Sequence, residues 1–323
     1  MAEFKKKILV TGANGQIGIA LVDELQIIYG YNNVIISDIR AVSGNNANPL
    51  FQQIDVTNLA DLAHIVSKNK VTEIYHLAAI LSANGEADPL KTWHINMQSL
   101  LNVLEVARQY QVKKVFIPSS IAVYGKNASG YNTSQTAFLE PSTVYGISKA
   151  AAESWCSYYC KRYGVDVRSI SYPGVISYQS LPGGGTTDYA VDIFHKALSG
   201  NDYECYLGAD TFLPMIYMND AIRATIELME ADADKVKIRS SYNVGGLCFS
   251  PYQLWQEIKV YYPDFNCVFK PDYRQSIADS WPKSIDDTLA YIDWGWKPEY
   301  DLKAMVADMI VKLKNKYLFA QTA

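Results

Sequence analysis

A glycine-rich turn near the beginning of the chain constrains its fold more than any other feature. Lys6–Thr11 has the apolar character of a buried strand, the turn that follows reads TGANGQIG, and Gln16–Tyr29 has helical apolar spacing. Gly12 permits a tight turn, Gly15 lets the backbone approach a pyrophosphate, and Gly18 lets the helix pack closely on the sheet. This order of strand, turn and helix predicts a dinucleotide site with the phosphates at the helix N-terminus.

An acidic residue after the second apolar run bears on which dinucleotide binds. Asp38 stands where a carboxylate accepts hydrogen bonds from the adenosine ribose and repels a 2′-phosphate. The alternatives are a solvated acid that ends a strand, and a preference for NADP through the nearby Arg40. The position of the acid favours NAD. Asp55 and Val56, after the third predicted strand, are expected to flank the adenine.

Apolar strands and helical stretches alternate along the first half of the chain. Further strands are predicted at Gln52–Val56, Ile74–Ala78 and Val115–Pro118, and long helices at Pro89–Tyr110 and Thr143–Tyr163. Such alternation predicts an α/β protein, in which helices cover both faces of a doubly wound parallel sheet, the Rossmann fold.

The pattern changes after the strand Val167–Tyr172, which Pro173 and Gly174 end. Later predicted elements are shorter, with tryptophan and proline interspersed. We therefore expect an NAD-binding Rossmann domain over residues 1–175, which carries the catalytic residues. A smaller α/β substrate-binding and lid region is expected over residues 176–323, interleaved with the Rossmann core.

Composition excludes several classes of protein. The 323 residues include 49% hydrophobic and 19% charged residues, and the net charge of −4 argues against nucleic-acid binding. Five scattered cysteines and four histidines lack metal-site spacing, so we predict reduced thiols and no metal. No apolar run reaches the roughly 18 residues that a membrane span needs. We expect a cytoplasmic protein, or a mitochondrial one if a presequence has been removed.

A tyrosine and a lysine stand one helical turn apart in the predicted helix Thr143–Tyr163. Tyr145 and Lys149 share a helix face, and an ammonium together with the nicotinamide charge favours the phenolate of a tyrosine whose ordinary pKa is about 10. Ser120, at the end of the fifth strand, offers a hydroxyl to the reacting oxygen. The tyrosine–lysine spacing alone is common on surface helices, but its combination with the glycine turn predicts a catalytic site.

Four motifs in this order resemble those of the extended short-chain dehydrogenases: TGxxGxxG, HLAA, SSxxVYG and YxxxK. The resemblance covers roughly the first 175 residues. It implies that Tyr145 is the general base, Lys149 its electrostatic partner and ribose ligand, and Ser120 the orienting hydroxyl. His76, at a strand end, is interpreted as structural. The resemblance also implies that NAD contacts further residues, namely Asn14, Gln16, Ile17, Leu77, Ala78, Ala79, Tyr172 and Ile176.

The later segments resemble the short-chain family of L-threonine 3-dehydrogenases. The stretches that carry this resemblance are LPGGGTTDYAVDIFHKAL, LPMIYMNDAIRATIELME, IADSWPKSIDD and DWGW. The resemblance implies NAD-dependent oxidation of L-threonine at C3 to 2-amino-3-oxobutyrate, in threonine catabolism, with possible coupling to a CoA ligase that cleaves this product. Ser171 departs from the pattern, since relatives often have arginine there.

The expected substrate site combines residues from both halves of the chain. The glycine loop over residues 183–187 offers backbone N–H groups and threonine hydroxyls to a carboxylate, and its glycines suggest a lid. A flexible loop with an N-cap threonine, and a core tryptophan, are the structural alternatives. The predicted substrate contacts are Ser82, Ser120, Tyr145, Gly184, Thr186 and Trp281.

Two other functions compete with this interpretation. A nucleotide-sugar epimerase or dehydratase of the same type usually has an asparagine where Gly174 stands, followed by arginines for the diphosphate, and few arginines follow here. A redox sensor that holds NAD without chemistry has no need of Ser120, Tyr145 and Lys149 together. Relatives also imply a homodimer through the two long helices.

Overall fold

The alternation of apolar strands and helices builds a six-stranded sheet in which every neighbouring pair of strands is parallel. The computed structural model describes residues 6–41, 50–128, 130–179, 181 and 185–322. They form two compact units, one of residues 1–120, 143–171 and 222–242 and one of residues 121–142, 172–221 and 243–323. Gly184, a predicted substrate contact, lies outside the described residues.

The large sheet belongs to the first unit and has the strand order β3-β2-β1-β4-β5-β7. This order, with the first strand at the centre and the crossovers on either side of it, confirms the predicted doubly wound Rossmann fold. The strands of this unit are β1 (Ile8–Thr11), β2 (Val34–Asp38), β3 (Phe51–Gln53), β4 (Glu73–His76), β5 (Lys114–Phe116), β6 (Ser119–Ser120) and β7 (Val167–Arg168). Its helices are α1 (Gln16–Tyr29), α2 (Leu59–Asn69), α3 (Ser82–Gly85), α4 (Pro89–Gln109) and α5 (Val144–Tyr163).

Local signals set the ends of the helix that carries the tyrosine–lysine pair. The Thr143 hydroxyl accepts a hydrogen bond from the Gly146 N–H, which caps the first turn of α5. Gly164 ends the helix in the left-handed region, at φ +71°. The prediction of this helix is confirmed, with Thr143 as its cap.

Two predicted strands differ from the structure. Residues 52–56 form a strand only within Phe51–Gln53, and the predicted strand Val167–Tyr172 is divided into β7 and β8 (Ile170–Tyr172). Ser169 stands at the division, where its carbonyl accepts the Tyr242 N–H at 2.9 Å. The chain therefore leaves the large sheet at Ser169 for a small one of order β12-β8-β6, where β12 is Tyr242–Asn243.

The second unit holds two small sheets and several helices. One sheet has the order β13-β11-β9 and the other pairs β10 with β14. Their strands are β9 (Gly174–Ile176), β10 (Tyr203–Cys205), β11 (Leu213–Tyr217), β13 (Leu247–Phe249) and β14 (Cys267–Phe269). Its helices are α6 (Tyr189–Leu198), α8 (Pro251–Lys259), α9 (Arg274–Ala278), α10 (Thr288–Trp294) and α11 (Leu302–Thr322). One further helix, α7 (Met218–Glu230), begins in the second unit and belongs to the first from Ile222 onward.

The structure also bears on thiols, membranes and metals. All five cysteines are unpaired. Over the described ranges, no helix has both the length and the apolar character needed to cross a membrane. Within the same ranges, no group of three or more His, Cys, Asp or Glu side chains could hold a metal ion.

Candidate active site

The glycine turn after β1 is closely packed against the segment after β4. Gly12 has φ +69°, and a Cβ atom there would lie 2.6 Å from the Ala78 nitrogen. A Cβ atom at Gly18 would clash with the carbonyl oxygens of Gly12 and Ala13. Both positions therefore need glycine, Gly12 for its conformation and Gly18 for the close approach of the helix to the turn.

The N-terminus of α1 has the character of a phosphate site. Its N-cap, Gly15, has no side chain to cap the helix, and the first turn carries no acidic residue. The positive end of the helix dipole is therefore not offset by a carboxylate in that turn. Gln16, Ile17 and Asn14 are half-buried beside it. These features fit a dinucleotide diphosphate.

Asp38 joins the end of β2 to the glycine turn. Its carboxylate accepts the Asn14 N–H and the Arg40 N–H, each at 3.0 Å, and the side chain is only 6% exposed. The Arg40 side chain is 76% exposed, with its Nε 3.9 Å from the same carboxylate. The acid is thus fixed beside the turn, while the arginine that would favour NADP extends into solvent.

The other predicted cofactor residues of the first unit follow β3 and β4. The exposed Asp55 carboxylate accepts hydrogen bonds from the Thr57 N–H and hydroxyl. Val56 is buried, and its carbonyl accepts from the Asn102 side chain at 3.0 Å. After β4, Leu77, Ala78 and Ala79 are half-buried, and Ala78 lies against Gly12.

The structure brings Ser120, Tyr145 and Lys149 together in the first unit. The Ser120 hydroxyl forms a hydrogen bond with the Tyr145 phenol. The Lys149 Nζ lies 5.6 Å from the centroid of the Tyr145 ring and donates to the carbonyl oxygen of Pro118 at 2.7 Å. A hydroxyl, a phenol and an ammonium therefore share one site, which is the arrangement predicted from sequence.

Burial is the main cause of the pKa shifts of Tyr145 and Lys149. It raises the pKa of Tyr145 to about 12, although the hydrogen bond with Ser120 opposes the change. Burial also lowers the pKa of Lys149 to about 8, against the charge of Glu153, which raises it. The lysine was predicted to lower the pKa of the tyrosine, whereas in the structure desolvation of the phenol raises it.

His76 occupies the end of β4 within the same unit. Its Nδ1 lies 2.8 Å from the Thr11 hydroxyl, at the end of β1. Burial, and then the charge of Lys149, lower the pKa of His76 to about 3. The imidazole is therefore neutral and ties two strand ends together, which supports the structural interpretation.

The predicted substrate residues are divided between the units. Ser82 begins α3 in the first unit and is half-buried. Thr186 and Trp281, each 7% exposed, are buried in the second unit, as are Tyr172 and Ile176.

Gly185, immediately before Thr186, is hydrogen-bonded within the second unit. The Tyr206 hydroxyl donates to the Gly185 carbonyl at 2.9 Å, and the Gly185 N–H donates to Asp188 at 2.8 Å. Both the N–H and the carbonyl group of Gly185 are therefore hydrogen-bonded.

Two buried polar residues beside the site were not predicted from sequence. The Asn96 amide on α4 exchanges two hydrogen bonds with the Ile80 backbone and donates to the Ser148 hydroxyl at 3.2 Å. Glu153 lies one turn beyond Lys149 and is buried. Its one-turn spacing from the tyrosine–lysine pair was the available signal, whereas Asn96 had none beyond its place in an otherwise apolar stretch.

Comparison with known families decides the class of this protein. The model of the NAD dependent epimerase/dehydratase family matches residues 8–245, which include the glycine turn and the Ser120, Tyr145 and Lys149 set. The chain belongs to this family. Its members use NAD, and the glycine turn and Asp38 described above fit that cofactor.

Individual known proteins resemble the chain over nearly its whole length. The GalE-like L-threonine dehydrogenase from Cupriavidus necator, in its holo form, has 53% identity and a TM-score of 0.93, covering 95% of this chain and 99% of that one. The L-threonine dehydrogenase from Clostridium difficile has 44% identity and a TM-score of 0.94, covering 97% and 98%. An uncharacterized epimerase/dehydratase of Staphylococcus saprophyticus is 45% identical, covering 96% of this chain and 98% of its own.

Proposed function

We propose that this enzyme is an NAD-dependent L-threonine 3-dehydrogenase, which oxidises L-threonine at C3 to 2-amino-3-oxobutyrate. The observation that carries the proposal is the likeness, over 95% or more of the chain, to two solved L-threonine dehydrogenases. That likeness includes the second unit, which holds the predicted substrate contacts Thr186 and Trp281.

The site supports oxidation of a secondary alcohol. The Tyr145 phenolate accepts the proton of the C3 hydroxyl, and the Ser120 hydroxyl donates a hydrogen bond to the developing oxygen charge. Lys149 stabilises the phenolate and binds the ribose. When bound, NAD accepts the hydride from C3, and its positively charged ring favours the phenolate whose formation burial opposes. The alcohol thereby loses one proton and one hydride and becomes a ketone.

The zwitterionic substrate needs donors rather than a large cationic patch. In the proposal, Thr186 and the neighbouring backbone bind the carboxylate, Ser82 contributes a polar contact, and Trp281 covers the apolar methyl group. Thr186 and Trp281 both belong to the second unit, where each is 7% exposed. A lid formed by residues 183–187 stays a prediction.

A nucleotide-sugar epimerase or dehydratase is the alternative, because the family and the staphylococcal relative are described as epimerase/dehydratase. An epimerase returns the hydride to its substrate, so it forms no net NADH. The two functions are therefore distinguished by the cofactor's fate as well as by the substrate.

The decisive experiment measures NADH formation by the purified chain with NAD and one of three substrates. L-threonine, L-serine and UDP-glucose are compared, and the amino-acid product is identified by mass spectrometry. We expect NADH and 2-amino-3-oxobutyrate, or aminoacetone after loss of CO2, with L-threonine. Turnover of UDP-glucose without NADH, and none of L-threonine, would replace this proposal with the alternative.

We also propose that the enzyme is a homodimer that pairs α4 and α5 with their counterparts. Exposed apolar side chains on these two helices support this arrangement: Leu90, Trp93, Trp155, Tyr158 and Tyr163. Light scattering after gel filtration tests it, and Trp155→Glu is expected to give the mass of a monomer. Functional coupling to a 2-amino-3-oxobutyrate CoA ligase and a cytoplasmic location complete the proposal.

A further inference from the structure

The short strand that carries Ser120 is bound to α5 by consecutive residues. Lys149 Nζ donates to the carbonyl oxygen of Pro118 at 2.7 Å. The next residue, Ser119, donates its hydroxyl to the carboxylate of Glu153 at 2.5 Å. Lys149 and Glu153 are one helical turn apart on the same face of α5. The earlier strand residue therefore bonds the earlier helix residue, and the later one bonds the later one.

A third bond joins the proposed catalytic hydroxyl and phenol, and it does not follow this order. Ser120 follows Ser119 in β6, and it bonds Tyr145, one turn before Lys149. Three consecutive residues thus bond three helical residues at one-turn intervals. The outer bond, between Ser119 and Glu153, joins two residues to which the proposed mechanism gives no role, whereas Ser120, Tyr145 and Lys149 all act in it.

Burial of the Glu153 carboxylate is unfavourable in free energy because it removes the group from water, which argues for a specific role. It is 8% exposed, and its carboxylate oxygen accepts hydrogen bonds from Ser119 and, at 3.3 Å, from Ser171. The Ser171 hydroxyl also lies 3.2 Å from the Ser241 hydroxyl. A buried carboxylate surrounded by hydroxyl donors is desolvated, and burial raises the pKa of Glu153 to about 7.

We infer that Glu153 is a positioning residue, which holds Ser119 and thereby fixes the Ser120 hydroxyl against the Tyr145 phenol. The inference rests on the proposed function, in which these two groups act on the substrate hydroxyl. β6 is only two residues long, so few sheet hydrogen bonds hold it in place. A small displacement of a catalytic group is enough to reduce turnover strongly.

The test compares variants of the full chain that remove the outer bond or keep it. Ser119→Ala and Glu153→Ala each lose the bond, and we expect kcat to fall by about ten- to hundredfold. KM for L-threonine and Kd for NAD should stay at wild-type values. Glu153→Gln keeps an oxygen acceptor for Ser119 and is expected to retain most of kcat. The double variant Ser119→Ala/Glu153→Ala should be no worse than the more damaged single one.

The control is Ser169→Ala, which removes a buried hydroxyl bonded to Ser241 at 3.0 Å and keeps the bond between Ser119 and Glu153. It should keep wild-type kcat. Hydrogen exchange of a peptide spanning residues 117–124 reports on β6 without any turnover, and we expect faster exchange in Glu153→Ala than in wild type or the control.

Two results would overturn the inference. One is a Ser119→Ala variant with the kcat and exchange rate of the control; the other is a Glu153→Gln variant as impaired as Glu153→Ala, which would assign the role to charge. Failure of the proposed function has a different signature, since wild-type protein would then form no NADH from L-threonine. In that case the kcat of each variant would be measured with the UDP-sugar that the wild type converts. Hydrogen exchange of residues 117–124 would be compared as before.

Discussion

Lys149 holds the end of the strand that leads to Ser120, through its hydrogen bond of 2.7 Å to the carbonyl oxygen of Pro118. The same ammonium lies 5.6 Å from the centroid of the Tyr145 ring. One side chain therefore orders the strand that carries the hydroxyl and places a positive charge beside the phenol. Burial lowers the pKa of Lys149 to about 8, so the ammonium form still predominates at neutral pH.

Tyr145→Phe should reduce kcat by about 10²- to 10⁴-fold, because it removes the proposed general base. NAD binding should persist, as measured by calorimetry. Tyr75→Phe is the control: this tyrosine is buried in β4, and among the described residues its hydroxyl has no hydrogen-bond partner. Near-normal turnover by the Tyr145 variant would refute the assignment of the base.

Gly12→Ala should destabilise the protein by roughly 3 kcal/mol or more and abolish NAD binding, since it adds a backbone clash to left-handed strain. Gly164→Ala shares the strain, at φ +71°, but meets no atom within 4 Å. It should cost roughly 1–2 kcal/mol and leave NAD affinity unchanged. Chemical denaturation and NAD titration of both variants distinguish the effect of the backbone clash from the effect of the left-handed strain.

Asp38→Asn should weaken discrimination against NADP, because it removes the charge that repels a 2′-phosphate. We expect the ratio of kcat/KM for NAD to that for NADP to fall by about ten- to hundredfold. Asp23→Asn, on the exposed face of α1, serves as the control for loss of one negative charge. An unchanged ratio in the Asp38 variant would remove this residue from cofactor selection.

Thr186→Ala should raise KM for L-threonine about tenfold, the effect of losing one hydrogen bond to a charged group. KM for NAD should not change. Thr288→Ala, an exposed threonine in the same unit, provides the comparison. If both variants have wild-type kinetic constants, Thr186 does not bind the substrate.

Glu153 should make stability depend on pH. Its pKa rises from the ordinary 4.5 to about 7 in the folded chain, so between these values the folded state binds more protons than the unfolded state. The free energy of unfolding should therefore fall as pH rises through this window, by roughly 3 kcal/mol at most. Denaturation of wild type and Glu153→Gln at both ends of the window measures it, and a difference between them that is independent of pH would contradict the shift.

Local sequence determined much of the NAD-binding half of the chain. Apolar periodicity placed α1 at the residues where it forms, and a threonine and a glycine set the two ends of α5. The glycine turn predicted the close packing of α1 that Gly18 permits. These features depend on residues a few positions apart, for which spacing and capping carry the information.

Tertiary structure decided what depends on distant residues. The division of Val167–Tyr172 at Ser169 follows from pairing with Tyr242, about seventy residues away. The direction of the Tyr145 pKa shift follows from burial, and the bond between Ser119 and Glu153 follows from the packing of β6 on α5. Desolvation and long-range hydrogen bonds arise only when the chain is folded, so no spacing in the sequence could express them.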